Sequence, residues 1–137
     1  MNLATTSHPT VLVVDDDEFS RDVMSEMLSA QGVTDIHSAG SGTEALRALA
    51  GMACAPDLII CDVFMPDMDG IEFMSALARQ HYEGAVVLVS GVDIEMLSLA
   101  RDIASADGIK LLGTFTKPLR PDALASVLVS WQHPISR

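Results

Sequence analysis

One stretch limits the fold of this chain more than any other: Leu58-Ile-Ile-Cys-Asp62, followed at once by Val-Phe-Met-Pro66-Asp-Met-Asp-Gly70. The apolar run from Leu58 to Cys61 delivers a carboxylate to its own end. Pro66 and Gly70 then force a loop before the next periodic segment begins. An uninterrupted apolar run of this length reads as a strand buried on both faces, the habit of parallel sheets. Ligands of such sheets sit beyond the carboxyl ends of the strands. A carboxylate held there on rigid backbone points to chemistry rather than packing. The question is what the other strands bring to Asp62.

Thr10-Val-Leu-Val-Val14 is a first strand that runs into Asp15, Asp16 and Asp17. From Glu18 the period is helical: Phe19, Val23, Met24, Met27 and Leu28 share a face expected to lie in the core, and Gly32 stops the helix. Ile36-His-Ser-Ala39 is a weak strand, and Ser41-Gly42-Thr43 opens a helix with Ala45, Leu46, Leu49 and Ala50 inward. After the Asp62 strand, Gly70 to Gln80 forms a helix with Ile71, Met74, Leu77 and Ala78 on the core side. Ala85 to Ser90 is the fourth strand, Glu95 to Asp107 the fourth helix and Leu111 to Lys117 the last strand. Pro121 opens the last helix as a first-turn proline should, with Leu124, Val127, Leu128 and Trp131 inward. Five strands alternating with five helices predict one doubly wound α/β domain.

Composition removes several function classes. The longest wholly apolar run, Ala85 to Val89, is far too short to span a bilayer. Met1 to His8 lacks a charged start followed by an apolar block, so no secretory signal is expected. Cys54 and Cys61 have no metal-ligand spacing and read as reduced, buried or half-buried thiols of a cytoplasmic protein. A net charge of −11, from 19 acids against 8 bases, argues against direct nucleic-acid binding. It suits a binder of cations or of basic protein surfaces.

At the carboxyl ends of the strands stand Asp15 and Asp16, then Asp62, Ser90, and Lys117 followed by Pro118. Grouped carboxylates repel one another unless a cation or proton shares the site. A hard divalent ion with oxygen ligands, Mg²⁺ first, is the natural relief, and Mg²⁺ so bound commonly awaits a phosphate.

Together these pieces, Val-Leu-Val-Val-Asp15-Asp16, Asp62 to Gly70, Val-Ser90-Gly91 and Thr-Lys117-Pro118, resemble the receiver domain of two-component response regulators. The resemblance covers residues 10–132, with 1–9 a mobile lead-in and 133–137 a tail. It implies a flavodoxin-like parallel sheet of order 2-1-3-4-5 with five helices. It implies that Asp62 accepts a phosphoryl group from a histidine kinase or phosphotransfer protein, or from a small acyl phosphate. Asp16 and Asp62 would hold Mg²⁺ directly, Asp15 through a water, and Phe64 by its main-chain carbonyl. Lys117 would pair with Asp62 and then with a phosphoryl oxygen, and Ser90 would donate its hydroxyl to the phosphoryl group. Such a domain catalyses only its own phosphorylation and dephosphorylation. It signals to a downstream protein or an output domain, touches neither nucleic acid nor membrane, and allows a homodimer.

Blander readings accompany each residue. Asp15 to Asp17 suit a helix N-cap, with Asp17 the better cap. Asp67 and Asp69 serve the loop and the cap of the third helix, and His8, His37, His81 and His133 read as surface residues. A phosphatase of the haloacid-dehalogenase type also uses an aspartyl nucleophile, but it wants an acid at position 64, where Phe stands.

Two departures from the receiver pattern matter. The aromatic switch position, three before the lysine, is Thr114, and the adjacent Phe115 belongs on the opposite strand face. Ser90 and Lys117 lie 27 positions apart, several more than receivers usually show, so the fourth helix or its exit must be longer. Met96 and Leu99, off the main stripe of Ile94, Leu97, Ala100, Ile103 and Ala104, are expected to dock a partner. This spacing, with Leu112-Gly113, is similar to receivers attached to EAL-type cyclic-di-GMP phosphodiesterases. No such domain follows Trp131, so the chain either stands alone or is a receiver cut from a longer protein.

Overall fold

A computed structural model describes residues 8–91 and 94–132, without the side chains of Ile94 and Met96. The expectations for residues 1–7 of the lead-in, for the tail with His133, and for the side chains of Ile94 and Met96 lie outside the described residues. Strands and helices alternate as β1 (Val11–Val14), α1 (Glu18–Ala30), β2 (Ile36–Ala39), α2 (Gly42–Gly51), β3 (Leu58–Asp62), α3 (Gly70–Arg79), β4 (Ala85–Ser90), α4 (Ile94–Ala106), β5 (Lys110–Thr116) and α5 (Pro121–Gln132). All pairings are parallel, and the strand order is β2-β1-β3-β4-β5. This is the flavodoxin-like arrangement expected.

The period-2 alternation of the central strands divides the core in two. Leu12, Val14, Ile59, Cys61, Val86 and Leu88 face Ala45 of α2, Phe73, Met74 and Leu77 of α3, and Leu97, Ala100 and Ala104 of α4. Val11, Val13, Leu58, Ile60, Val87 and Val89 face Leu28 of α1 and Leu124 and Val127 of α5. Every residue of β1, β3 and β4 is buried, which is why these strands read as unbroken apolar runs.

Local chemistry sets the helix ends. Asp17 caps α1 through the Ser20 amide, Ser41 caps α2, and Asp69 with Glu72 forms a capping box on α3. Gly32 follows α1 at a φ of +97°, where a side chain would be strained. Gly70 begins α3 so close to β3 that a Cβ would sit 2.9 Å from the Val63 Cα.

Several expectations need correcting. The α1 stripe is not all core: Leu28 is buried, but Phe19 is 74% and Val23 41% exposed. Ala50 of α2 is exposed. On α3 the expected Ile71, Met74, Leu77 and Ala78 do pack on the core, and the fully buried Phe73, which the stripe left out, joins them. Cys54 is exposed, whereas Cys61 is buried. His8, His37 and His81 are on the surface as expected. Asp69 caps α3, but Asp67 reaches across to α2, accepting from the Thr43 amide at 3.0 Å.

The long β4–β5 connection resolves into a 13-residue α4 and an irregular β5. Val86 pairs with Leu111 and Val87 with Gly113, so Leu112 is an extra residue, a bulge. The bulge re-phases the strand. Leu111 packs on the α4 side, while Phe115 joins the α1/α5 cluster and its ring covers Gly113. Thr114, paired with Leu88, therefore faces away from Phe115, as expected from their adjacency.

Candidate functional site

β1 and β3 are neighbours whose following helices leave to opposite faces, α1 to one and α3 to the other. A crevice therefore opens beyond their carboxyl ends. Asp15 follows β1 and Asp62 ends β3, and both are only 7% exposed. One oxygen from each of Asp15, Asp16 and Asp62 lies within 4.8 Å of the others. The Lys117 ammonium reaches both buried carboxylates, donating to Asp15 Oδ2 at 2.9 Å and to Asp62 Oδ2 at 3.0 Å. The second oxygens are fixed by main chain: the Asp17 amide donates to Asp15 Oδ1 and the Phe64 amide to Asp62 Oδ1. Ser90 ends β4, and its carbonyl accepts from the Lys117 amide at 2.8 Å. Its hydroxyl is fully buried and has no hydrogen-bond partner among the described residues.

Burial and charge compete here. Desolvation raises the Asp62 pKa above its ordinary 3.8, and the repulsion of Asp15 adds to this, despite the Lys117 bond and charge and the Phe64 amide. Burial alone would pull Lys117 down from 10.5. Its hydrogen bonds to Asp15 and Asp62, and the charges behind them, win and raise it. Burial, with Asp62 and Asp15 close by, also pushes the Cys61 thiol up, which favours its protonated form in the core.

Three carboxylates against one ammonium leave the pocket negative. Their oxygens form a hard donor set that fits Mg²⁺ better than a thiophilic metal.

The structure thus brings together Asp15, Asp16, Asp62 and Lys117, with Ser90 tied to Lys117 through the main chain. Phe64 is beside Asp62 as expected, though the contact it makes is through its amide N–H. Two features escaped the sequence reading. Arg21 donates to the Asp15 carbonyl at 2.7 Å. The only hint was a single base in a helix otherwise bearing acids. The second is a cavity of about 170 Å³ between α1 and the β5–α5 loop. Phe19, Val23, Met24, Met27, Pro118 and Leu119 line it, and Asp15, Asp62 and Lys117 form part of its wall. Amphipathic period identifies a helix face but not how far a neighbour covers it.

Comparison with known proteins agrees with this geometry. The family described as response regulator receiver domain matches residues 11–129. The chain is 37% identical over 127 residues to the transcriptional regulatory protein PdtaR of Mycobacterium tuberculosis, covering 93% of this chain and 57% of that protein. It is 36% identical over 107 residues to a protein-glutamate methylesterase/protein-glutamine glutaminase of Halobacterium salinarum, covering 78% of this chain and 29% of that protein. Among solved structures, a response regulator from Colwellia psychrerythraea superposes with a TM-score of 0.75 at 30% identity, covering 90% of this chain and 96% of the other. The chain spans less than two thirds of the length of these two curated relatives.

Proposed function

The chain belongs to the response regulator receiver domain family, and on that premise we propose that Asp62 accepts the phosphoryl group by which this receiver signals. The carrying observation is the clustering of Asp15, Asp16 and Asp62 within 4.8 Å beside a lysine that bonds two of them. An Asp62 oxygen forms the new bond to phosphorus. The bond from phosphorus to the donor's imidazole nitrogen or acyl oxygen breaks, and its electron pair leaves with the donor. Transfer of this kind needs positioning and charge neutralisation more than proton movement.

Asp16 and Asp62, with the Phe64 carbonyl and with Asp15 through a water, would hold Mg²⁺, which when bound neutralises charge on the phosphoryl oxygens. Lys117 neutralises Asp62 at rest and can follow a phosphoryl oxygen afterwards. Ser90 holds a buried hydroxyl whose proton has no acceptor among the described residues, and a phosphoryl oxygen would supply one. A buried polar group left unpaired is costly, which favours this pairing. The protein donor, a histidine kinase or a phosphotransfer protein, would settle on the apolar cavity beside Asp62, where Phe19 and Val23 stand exposed. In this reading the domain turns over no external substrate.

The size of the switch follows. Moving a two-state equilibrium from mostly off to mostly on takes about 5.5 kcal/mol of differential binding. A hydrogen bond to a charged group contributes about 1.5–3 kcal/mol. Ser90 and one or two amides reach that range, whereas Lys117 adds less because it is already paired. The readout is a change in a protein-binding surface, and Leu99, 50% exposed on α4, is our choice for part of it. The curated relatives carry different activities, so a fused cyclic-di-GMP phosphodiesterase is not favoured over other outputs.

With Mg²⁺ and acetyl phosphate, the wild-type chain should gain one phosphoryl mass and Asp62→Asn none, read by intact-protein mass spectrometry. Equal labelling of the two would overturn the assignment.

A further inference from the structure

Arg21 touches the acidic pocket through its backbone. Its Nη1 donates at 2.7 Å to the main-chain carbonyl of Asp15. That carbonyl belongs to the rigid peptide plane joining Asp15 to Asp16. Whatever fixes this plane fixes the starting point of both side chains. The same guanidinium lies against the β2–α2 turn, where a Cβ on Gly40 would be 3.1 Å from Nη1. The turn is itself closed by Glu44, whose carboxylate accepts the Gly40 amide.

From its other side, the turn is gripped by the loop that follows Asp62. The Thr43 amide donates to Asp67 Oδ2 at 3.0 Å, and a Cβ on Gly42 would meet Met68 at 2.9 Å. One turn therefore braces both the segment that carries Asp16 and the loop that follows Asp62.

We propose that Arg21 is a positioning residue: it holds the Asp15–Asp16 peptide against the β2–α2 turn and so sets the spacing of the three carboxylates for a divalent cation. This rests on the reading that those carboxylates bind Mg²⁺. Arginine suits the task because its planar, permanently charged fork can hold the carbonyl while packing along the turn. Residues that orient metal ligands typically alter affinity by about 10–100-fold when lost.

The test is Mg²⁺ titration of the full chain by calorimetry, with melting curves in the absence of metal. Arg21→Gln should weaken Mg²⁺ binding by about tenfold while the metal-free melting temperature stays near that of wild type. Arg21→Lys, which keeps a cationic donor but not the fork, should recover part of the loss. Arg21→Met, which keeps the apolar stem, serves should the glutamine variant fail to fold. Wild-type Mg²⁺ affinity in the variant lacking the charge overturns the proposal alone. So does a loss matched by metal-free destabilisation that lysine does not relieve. A wild-type chain that binds no Mg²⁺ overturns both this proposal and the function it rests on.

Discussion

At the scale of single residues, the site is a contest between desolvation and pairing, and Asp62 records the outcome. Its pKa is raised from 3.8 because burial outweighs Lys117. The folded chain therefore binds the Asp62 proton more tightly than the unfolded chain does. By linkage, stability falls as pH rises from the ordinary carboxylate value through the folded one. Asp62→Asn removes that term, so the variant should lack this part of the decline and be at least as stable as wild type at neutral pH without metal. Urea midpoints of both proteins between about pH 3 and 7 check this; a steeper decline in the variant would contradict it. Asp15, Asp62 and Lys117 were legible in the sequence because charged groups at the ends of apolar runs have few structural reasons to be there. Arg21 was not, because its partner is a main-chain carbonyl, and no sequence pattern marks a carbonyl that lacks a strand partner.

At the scale of elements, two phenylalanines on helices have opposite fates. Phe73 of α3 is fully buried between β1, β3 and the neighbouring helices, whereas Phe19 of α1 is 74% exposed beside the acidic pocket. Phe73→Ala should cost about 3–5 kcal/mol of stability. Phe19→Ala should cost well under 1 kcal/mol, as surface changes do at roughly ±0.5 kcal/mol. It should nonetheless slow phosphoryl transfer from a phosphohistidine protein while leaving labelling by acetyl phosphate unchanged. Equal slowing with both donors would place Phe19 in the chemistry instead. Helix positions were legible from their period, but burial was not. Which residues share a face is a property of the helix, and how much of that face is covered is a property of its neighbours.

At the scale of the whole molecule, one sheet serves two separate cores, and the acidic pocket is held from both. Asp15 and Asp62 stand at the carboxyl ends of strands packed on each face, and Lys117 arrives from the β5 edge. Element number and order were legible from alternating apolar runs and helical segments. The strand order came from family resemblance, because spacing does not say which parallel strands are neighbours. The bulge at Leu112 was hidden too, since an extra residue changes phase without changing composition. It bears on how far the length of the chain can vary. Consecutive β4 residues pair with Leu111 and Gly113, so excising Leu112 would leave every other β5 side chain pointing where it does now. A variant lacking Leu112 should fold and still accept phosphate on Asp62, as circular dichroism and mass labelling would report. Removing Ile60 from β3, which pairs in regular register on both sides and has no bulge to absorb the loss, should instead invert part of that strand and abolish both. Within the sheet, a one-residue deletion is thus expected to be borne by β5 and not by the regularly paired central strands.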